Sequence, residues 1–482
     1  MKDYDESTAF LGQWGRFQQV VFFLLSASIV PNGLGTFSVV FLTDIPRHHC
    51  LIPEENLTQD WRDAIIPIEV VNGKREQSRC SRYRLDVVRN LSAQGFIPGR
   101  DVNLTDLEQE GCVDWWSYSK DIYQSTLVSE FDLVCSDQWK PPFTSTACFL
   151  GFLVGSFISG QLSDRFGRKP VFFTTMAVQT TFSFCQAFSP SWTVFTILIF
   201  FNGFGQISNY VSGFVLGTEI LTGDVRVIFS SMGVCLGYAI GYMILPLVAF
   251  FLRDWKSLLL AISLPGVLYI PLWWFIPESP RWLLSQGRVE EAEAIVRKAA
   301  KTNRVEAPTV IFKDYSAQEH LNVISLVKTQ SVRSTTVILC LVWFSLSIGY
   351  YGLSLNTSRL HANPYISCFL SAAAEVPAYM SCWLALKYFP RRLSVIFILL
   401  LGGVSLFLIQ LVPERESFEY LPYIILGTLA VVSAFAALYL PESFGKPLPQ
   451  TIQQMQKRES MKCPCITRKE HLKPVVHLES RL

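Results

Sequence analysis

Long apolar runs separated by short polar turns set the pattern of this chain. Ten runs, at 20–42, 143–162, 170–189, 193–218, 227–252, 258–276, 335–356, 365–386, 393–412 and 421–440, stand out. Each is near the ~20 apolar residues a helix needs to cross a hydrocarbon core. Two polar stretches break the series: 43–142 after the first run and 277–334 after the sixth. The pattern predicts an all-α membrane protein. Its parts are a polar N-terminus (1–19), a six-helix half (20–276), a linker (277–334), a four-helix half (335–440) and a tail (441–482). The first run lacks a cleavage-type end and reads as an uncleaved span.

The short turns orient the bundle. Arg165, Arg168, Lys169, Lys387, Arg391, Arg392 and the tail residues Lys457, Arg458 and Lys462 fall on one side of it. Basic turns stay in the cytoplasm, so both termini are expected inside and 43–142 outside. Within the linker, Arg288 to Lys301 predicts an amphipathic helix with Ala292, Ile295, Val296 and Ala299 as its apolar stripe. Glu293 stands four residues before Arg297, the spacing of a helical ion pair.

Composition narrows the class. Half of the residues are hydrophobic and 17% are charged, with a mean hydropathy of +0.31, too apolar for an ordinary soluble chain. The net charge is only +2, and no basic stripe or finger spacing points to nucleic acid. Cys50, Cys80, Cys112 and Cys135 share one polar stretch with the sequons at Asn56, Asn90 and Asn103. That grouping predicts a glycosylated, oxidised loop with two disulfides, in any of three connectivities. The paired C-x-x-C spacing of a zinc site is absent.

Polar groups inside spans are costly, which makes them functional candidates. Asn32 lies in VPNG, where Pro31 and Gly33 favour an interrupted helix. Asn202, Gln206, Asn209 and Tyr210 fall on one face of a helix. The face is expected to line a water-filled path, with interhelical hydrogen bonding as the alternative. Glu375 sits mid-span, two residues before Pro377, and suits a substrate cation or coupling ion. Tyr238, Tyr242, Trp343, Tyr350 and Tyr351 are candidates for an aromatic cage around a quaternary ammonium group. Glu219 and Arg226 bracket a turn and are expected to pair, as a gate or as a structural tether. GTEILTGD lacks the lysine of a phosphate loop. No nucleophile–base pair stands out, so no catalytic residue and no enzyme activity are expected.

One turn is especially dense. GQLSDRFGRK, Gly160 to Lys169, packs Asp164, Arg165, Arg168 and Lys169 between two apolar runs. Gly160 and Gly167 permit the tight reversal, and Asp164 can pair with the arginines. With PESPRWLLSQGR (Pro277 to Arg288), RDWK (Arg253 to Lys256) and PESFGKPLP (Pro441 to Pro449), this turn resembles the organic cation and carnitine transporters. These form the solute carrier 22 family of the major facilitator superfamily. DYDESTAFLGQWGRFQ, LLSASIVPNG and GQISNYVSGFVLGTEI are most similar to its carnitine/ergothioneine branch.

The resemblance implies a facilitator fold and plasma-membrane import of small zwitterions or cations. It implies sodium as coupling ion and no other cofactor. It implies a cavity lined by Asn32, Gln206, Asn209, Tyr210, Tyr238 and Glu375, with sodium expected near Asn32 and Asn209. The chain departs from the family in span number. Full members have twelve spans; here QLVPERESFEYLPYIILG joins the ninth to the twelfth. The eleventh span's basic residue, which meets a substrate carboxylate, has no counterpart. Two rival expectations follow: a sodium-independent organic cation facilitator, and a non-transporting form that modulates the full-length carrier. The C-terminal ESRL, with Ser480 two before Leu482, has the spacing a PDZ domain takes.

Overall fold

The computed structural model describes residues 4–53, 57–71, 74–312, 330–355, 363–408 and 421–442. Asn56 and Ser480 to Leu482 lie outside the described residues. Helix occupies the described part of every predicted apolar run. Among the described residues, eight helices are long and apolar enough to cross a membrane, from Arg16–Leu42 to Arg391–Leu408. The two remaining runs are weaker for identifiable reasons. Arg168–Gln186 turns a polar face of Thr175, Gln179, Thr180, Ser183 and Gln186 into the protein. Leu421–Ala437 has 17 residues.

The chain forms two compact units. The first comprises Met1–Gln318 with Leu353–Trp383, the second Glu319–Gly352 with Leu384–Leu482. The Pro364–Tyr388 helix joins the first through Tyr365, which stacks on Phe41 and packs on Tyr123 and Phe250.

Glycine sets how closely the first unit's helices approach. A Cβ on Gly33 would collide with the Tyr238 carbonyl, one on Gly237 with the Ser26 carbonyl, and one on Gly241 with the Val30 carbonyl. Gly233, Gly237 and Gly241 recur every four residues, so one bare ridge of Gly223–Phe251 lies against the first span. Close backbone approach of this kind is how membrane helices gain packing energy without a hydrophobic drive. The first span is itself broken into Arg16–Ser28, Val30–Thr36 and Ser38–Leu42, with Pro31 opening the middle piece.

The loop after the first span folds around Trp61, Ile65, Ile66, Tyr83, Leu85 and Val88. Three two-stranded antiparallel ribbons frame it: His48–Cys50 with Trp116–Tyr118, Ile68–Val71 with Lys74–Gln77, and Ser81–Tyr83 with Gln109–Gly111. Arg82 is buried beneath them and donates to Glu110, Asp114 and the Leu51 carbonyl, which offsets the cost of taking a guanidinium out of water. The disulfides are Cys50–Cys112 and Cys80–Cys135, one of the three open pairings. Asn90 and Asn103 are exposed. Hydrogen bonds from Tyr123 to Asp44, Lys256 to Glu130 and Tyr365 to the Ile122 carbonyl dock this loop on the spans.

At the opposite ends of the spans, Val289–Asn303 is the expected amphipathic helix. Ala292, Val296, Ala299 and Ala300 are buried, and Arg297 reaches Glu293 at 3.2 Å. The second unit holds the described part of Gln330–Leu355 up to Gly352, Arg391–Leu408 and Leu421–Ala437 around Val342, Leu399, Ala434 and Ala437.

Candidate transport site

The amide face of Trp192–Ile220 is turned between helices. Asn209 donates to the Phe172 carbonyl and accepts from Asn32, both at 3.1 Å. Thr36 donates to Gln206 at 3.3 Å, Gln206 to Asn202 at 3.2 Å and Asn202 to Gln186 at 3.2 Å. Asn32, Asn202, Gln206 and Asn209 are all buried. The structure therefore corrects the expectation of a water-lined face: these amides cross-link three helices, because in an apolar interior each polar atom must find a partner. Among the described residues two atoms of this network are exceptions, and Gln186 Nε2 is one of them. The other, Asn32 Oδ1, is likewise buried with no hydrogen-bond partner.

Beside the amides lies an aromatic and acidic group. Tyr210 meets Tyr238 edge-on at 6.4 Å, Tyr238 meets Phe37 at 6.2 Å, and Phe37 stacks on Tyr242 at 4.0 Å. Glu375 accepts a hydrogen bond from Tyr379 at 2.9 Å. Tyr379 lies close enough to Tyr210 and Cys235 to interact with them electrostatically. The fold thus brings Tyr210, Tyr238, Tyr242 and Glu375 into one neighbourhood of the first unit. The rest of the expected cage belongs to the second unit. Trp343 is 67% exposed. Tyr350 and Tyr351 pack edge-on at 5.2 Å as sequence neighbours, and adjacent helical residues point in different directions, so they do not share one face.

The dense turn forms an ion network. Arg168 donates to Glu219 through Nε and Nη2 at 3.1 and 3.0 Å and to Asp164 through Nη1. Glu219 also accepts from Ser279. The expected Glu219–Arg226 pair is not formed. Arg226 Nε donates to the Leu221 carbonyl, which turns its guanidinium away to Asp5. Gly167 has φ +106°, which a non-glycine residue rarely adopts, and it reverses the chain between the two helices. The Glu278 carboxylate then accepts the backbone N–H groups of Arg168 and Lys169 at 3.0 and 3.1 Å and that of Ser279 at 2.8 Å. Burial raises the Glu278 carboxyl above its ordinary range despite these bonds. The second unit repeats the device: Glu442 accepts the N–H groups of Arg391 and Arg392 at 3.2 Å. Both carboxylates follow a proline in a P-E-S motif and cap the first turn of a helix that opens with basic residues.

Among the described residues, His48, Cys80 and Cys135 form the one cluster with metal-ligating spacing. Both sulfurs are spent in a disulfide, so the cluster is not a metal site. Sequence reasoning passed over Thr36, Gln186, Tyr379 and Glu278. Tyr379 carried a signal, standing four residues from Glu375, and so did Glu278, in the P-E-S motif that recurs at Glu442; Gln186 carried none.

Comparison with known proteins decides the family. Residues 136–441 match the family of sugar (and other) transporters. Rat organic cation/carnitine transporter 2 is 48% identical over 96% of this chain and 95% of its own length. The chain belongs to the organic cation/carnitine transporters. The human organic cation/carnitine transporter 2 is 47% identical over 96% of this chain and 95% of its own length. Mouse solute carrier family 22 member 4 is 47% identical over 96% of each. The proton:xylose symporter XylE, of the major facilitator superfamily, superposes with a TM-score of 0.51 at 14% identity, over 87% of this chain and 79% of its own. That likeness shows the shared fold. As an organic cation/carnitine transporter the chain is a multi-pass membrane transporter rather than an enzyme. The alignment with the rat protein runs over 532 residues while this chain has 482. The difference leaves room for about two missing ~20-residue spans and their loops.

Proposed function

We propose that the chain imports carnitine, or a related zwitterion or quaternary ammonium compound, across the plasma membrane together with sodium. Transport proceeds by alternating access about a midplane site. The observation that carries this reading is the 48% identity to rat organic cation/carnitine transporter 2 over nearly the whole chain. The chemistry of the site agrees. A trimethylammonium group has no N–H to donate, so it is held by charge and by aromatic faces; Glu375 supplies the first, Tyr210 and Tyr238 the second. Asn32 Oδ1, a buried oxygen without a hydrogen-bond partner among the described residues, beside Asn209, is the kind of hard ligand an alkali cation takes. Both termini and the linker face the cytoplasm, as the basic turns require. Entry of a net positive charge then gains about 2.3 kcal/mol per 100 mV of membrane potential.

The gap in the alignment favours a second reading. Without the eleventh-span cation nothing replaces the partner of the substrate carboxylate, and the chain acts as a non-transporting form that modulates a full-length carrier. Uptake of labelled carnitine with and without sodium, beside surface biotinylation, separates the readings. Sodium-dependent uptake is expected. Uptake that persists without sodium supports a facilitator of organic cations. Surface protein without uptake, which lowers the flux of a co-expressed full-length carrier, supports the modulator. Asn209→Ala with unchanged sodium dependence counts against the sodium site.

A further inference from the structure

One tyrosine ring closes the first unit on the side of the disulfide-bonded loop. Tyr365 is buried in the first turn of Pro364–Tyr388. It stacks on Phe41 at 5.5 Å, meets Phe250 edge-on at 5.6 Å and tilts against Tyr123 at 6.0 Å. Those rings come from the end of the first span, the end of Gly223–Phe251 and the loop. The Tyr365 hydroxyl donates to the Ile122 carbonyl at 3.0 Å. The loop residues that follow are pinned in turn. Tyr123 donates to Asp44 at 2.8 Å, the Gln124 N–H to the Arg253 carbonyl at 3.0 Å, and Ser125 to Asp254. Asn363 Oδ1 accepts the Tyr365 N–H at 3.1 Å and fixes the start of the helix.

Cys368, Ala372, Glu375 and Tyr379 follow Tyr365 on one face of the helix, three or four residues apart. Cys368 and Ala372 are fully buried, so small side chains separate the ring from the acid. One hydrogen bond and three ring contacts are individually weak. Together they seal a mouth, and a conformational step can still break them. We propose that Tyr365 is the loop-side gate of the transport path and that the disulfide-bonded loop is its latch. Withdrawing the ring from Phe41, Phe250 and Tyr123 opens the face that leads to Glu375. The Ile122 carbonyl holds the hydroxyl until then. The meaning of Glu375 rests on the function proposed above; closure of the ring over Cys368 does not.

The test reads closure through native thiols of the purified full chain in neutral detergent, without substrate, sodium or a membrane. The probe is a methanethiosulfonate carrying a trimethylammonium group, followed at Cys368 and Cys148 by peptide mass spectrometry. Cys148 is buried in a different helix and reports general loosening. Cys368 of the parent chain is expected to react slowly. Tyr365→Phe keeps the ring and loses the hydroxyl. It is expected to speed Cys368 by about two- to tenfold, the range one neutral hydrogen bond controls. Tyr365→Ala is expected to speed it by about a hundredfold, since three ring contacts go as well. Tyr123→Ala, a change confined to the loop, is expected to speed it too, and Cys148 stays slow throughout. Unchanged rates at Cys368 overturn the proposal, as does an equal rise at Cys148, which marks a merely structural role. If Tyr365→Ala does not fold, Tyr365→Phe and Tyr123→Ala decide. A parent chain that takes up no carnitine yet gives these rates keeps the gate and loses the import reading.

Discussion

Asp5 and Arg226 stand 221 residues apart and meet at two points, with Arg226 Nη1 and Nη2 donating to the two carboxylate oxygens at 3.0 and 2.8 Å. Arg281 adds a third bond to the same carboxylate at 2.9 Å. Tyr4, next in the chain, is buried against Phe312 under the Arg281 guanidinium. The N-terminal segment is therefore a strap between the turn after Trp192–Ile220 and the linker.

Breaking the strap has a defined cost. Burial alone would raise the Asp5 carboxyl, but Arg226 and Arg281 outweigh it and hold the group below the usual carboxylate range. Asp5→Asn is expected to lower stability by about 1–3 kcal/mol, the scale of charge-assisted hydrogen bonds, read as a lower thermal midpoint. An unchanged midpoint would show the strap to be a passive contact.

Arg168 is mostly buried, with 12% of its side chain exposed, and Glu219 is its principal partner. Removing that partner strands a guanidinium away from water. Glu219→Gln is expected to cost about 3 kcal/mol and to reduce uptake in cells more than Asp164→Asn does, since Asp164 is 69% exposed. Equal effects of the two substitutions in a stability and uptake assay would refute this ranking.

The glycine ridge is the steric requirement of the first unit. Gly241→Leu is expected to abolish surface expression, because a side chain there meets the backbone of the first span and overpacking costs about 1–3 kcal/mol or more. Gly402→Leu, where the space is open, is expected to be tolerated. Surface biotinylation of the two variants reads the difference.

His48 makes the loop sensitive to acid. Its Nδ1 donates to the Pro46 carbonyl at 2.9 Å. Burial, with Arg79 and His49 nearby, holds its pKa below the ordinary value despite that bond. The folded state then binds fewer protons than the unfolded one just below the unfolded pKa of about 6.5. Stability is full above that value and is lost as the pH falls from it toward the lowered folded pKa. Thermal midpoints at pH 7.5 and 5.5 are expected to differ less in His48→Gln than in the parent chain.

Much of this architecture is legible in the residues because membrane helices satisfy their backbone locally. Each apolar run therefore marks its own helix, and VPNG marks its own break. The alternation of Ala292, Val296 and Ala299 likewise shows which side of the linker helix is covered. Four cysteines beside sequons were enough to infer two disulfides, and the dense basic turn was enough to infer a charge network. Helical periodicity shows which residues share a face and says nothing of what that face meets. Whether Asn202, Gln206 and Asn209 bond to water or to Thr36, Gln186, Asn32 and the Phe172 carbonyl was decided by packing. So was the partner of Arg226, which is Asp5 rather than Glu219 seven residues before it. The pairing of Cys50 with Cys112, and the stacking of Tyr365 on Phe41, depend on contacts between segments that no local pattern encodes. Long-range partners are chosen by shape and by the need to satisfy every buried polar group at once, and that choice exists only in the folded chain.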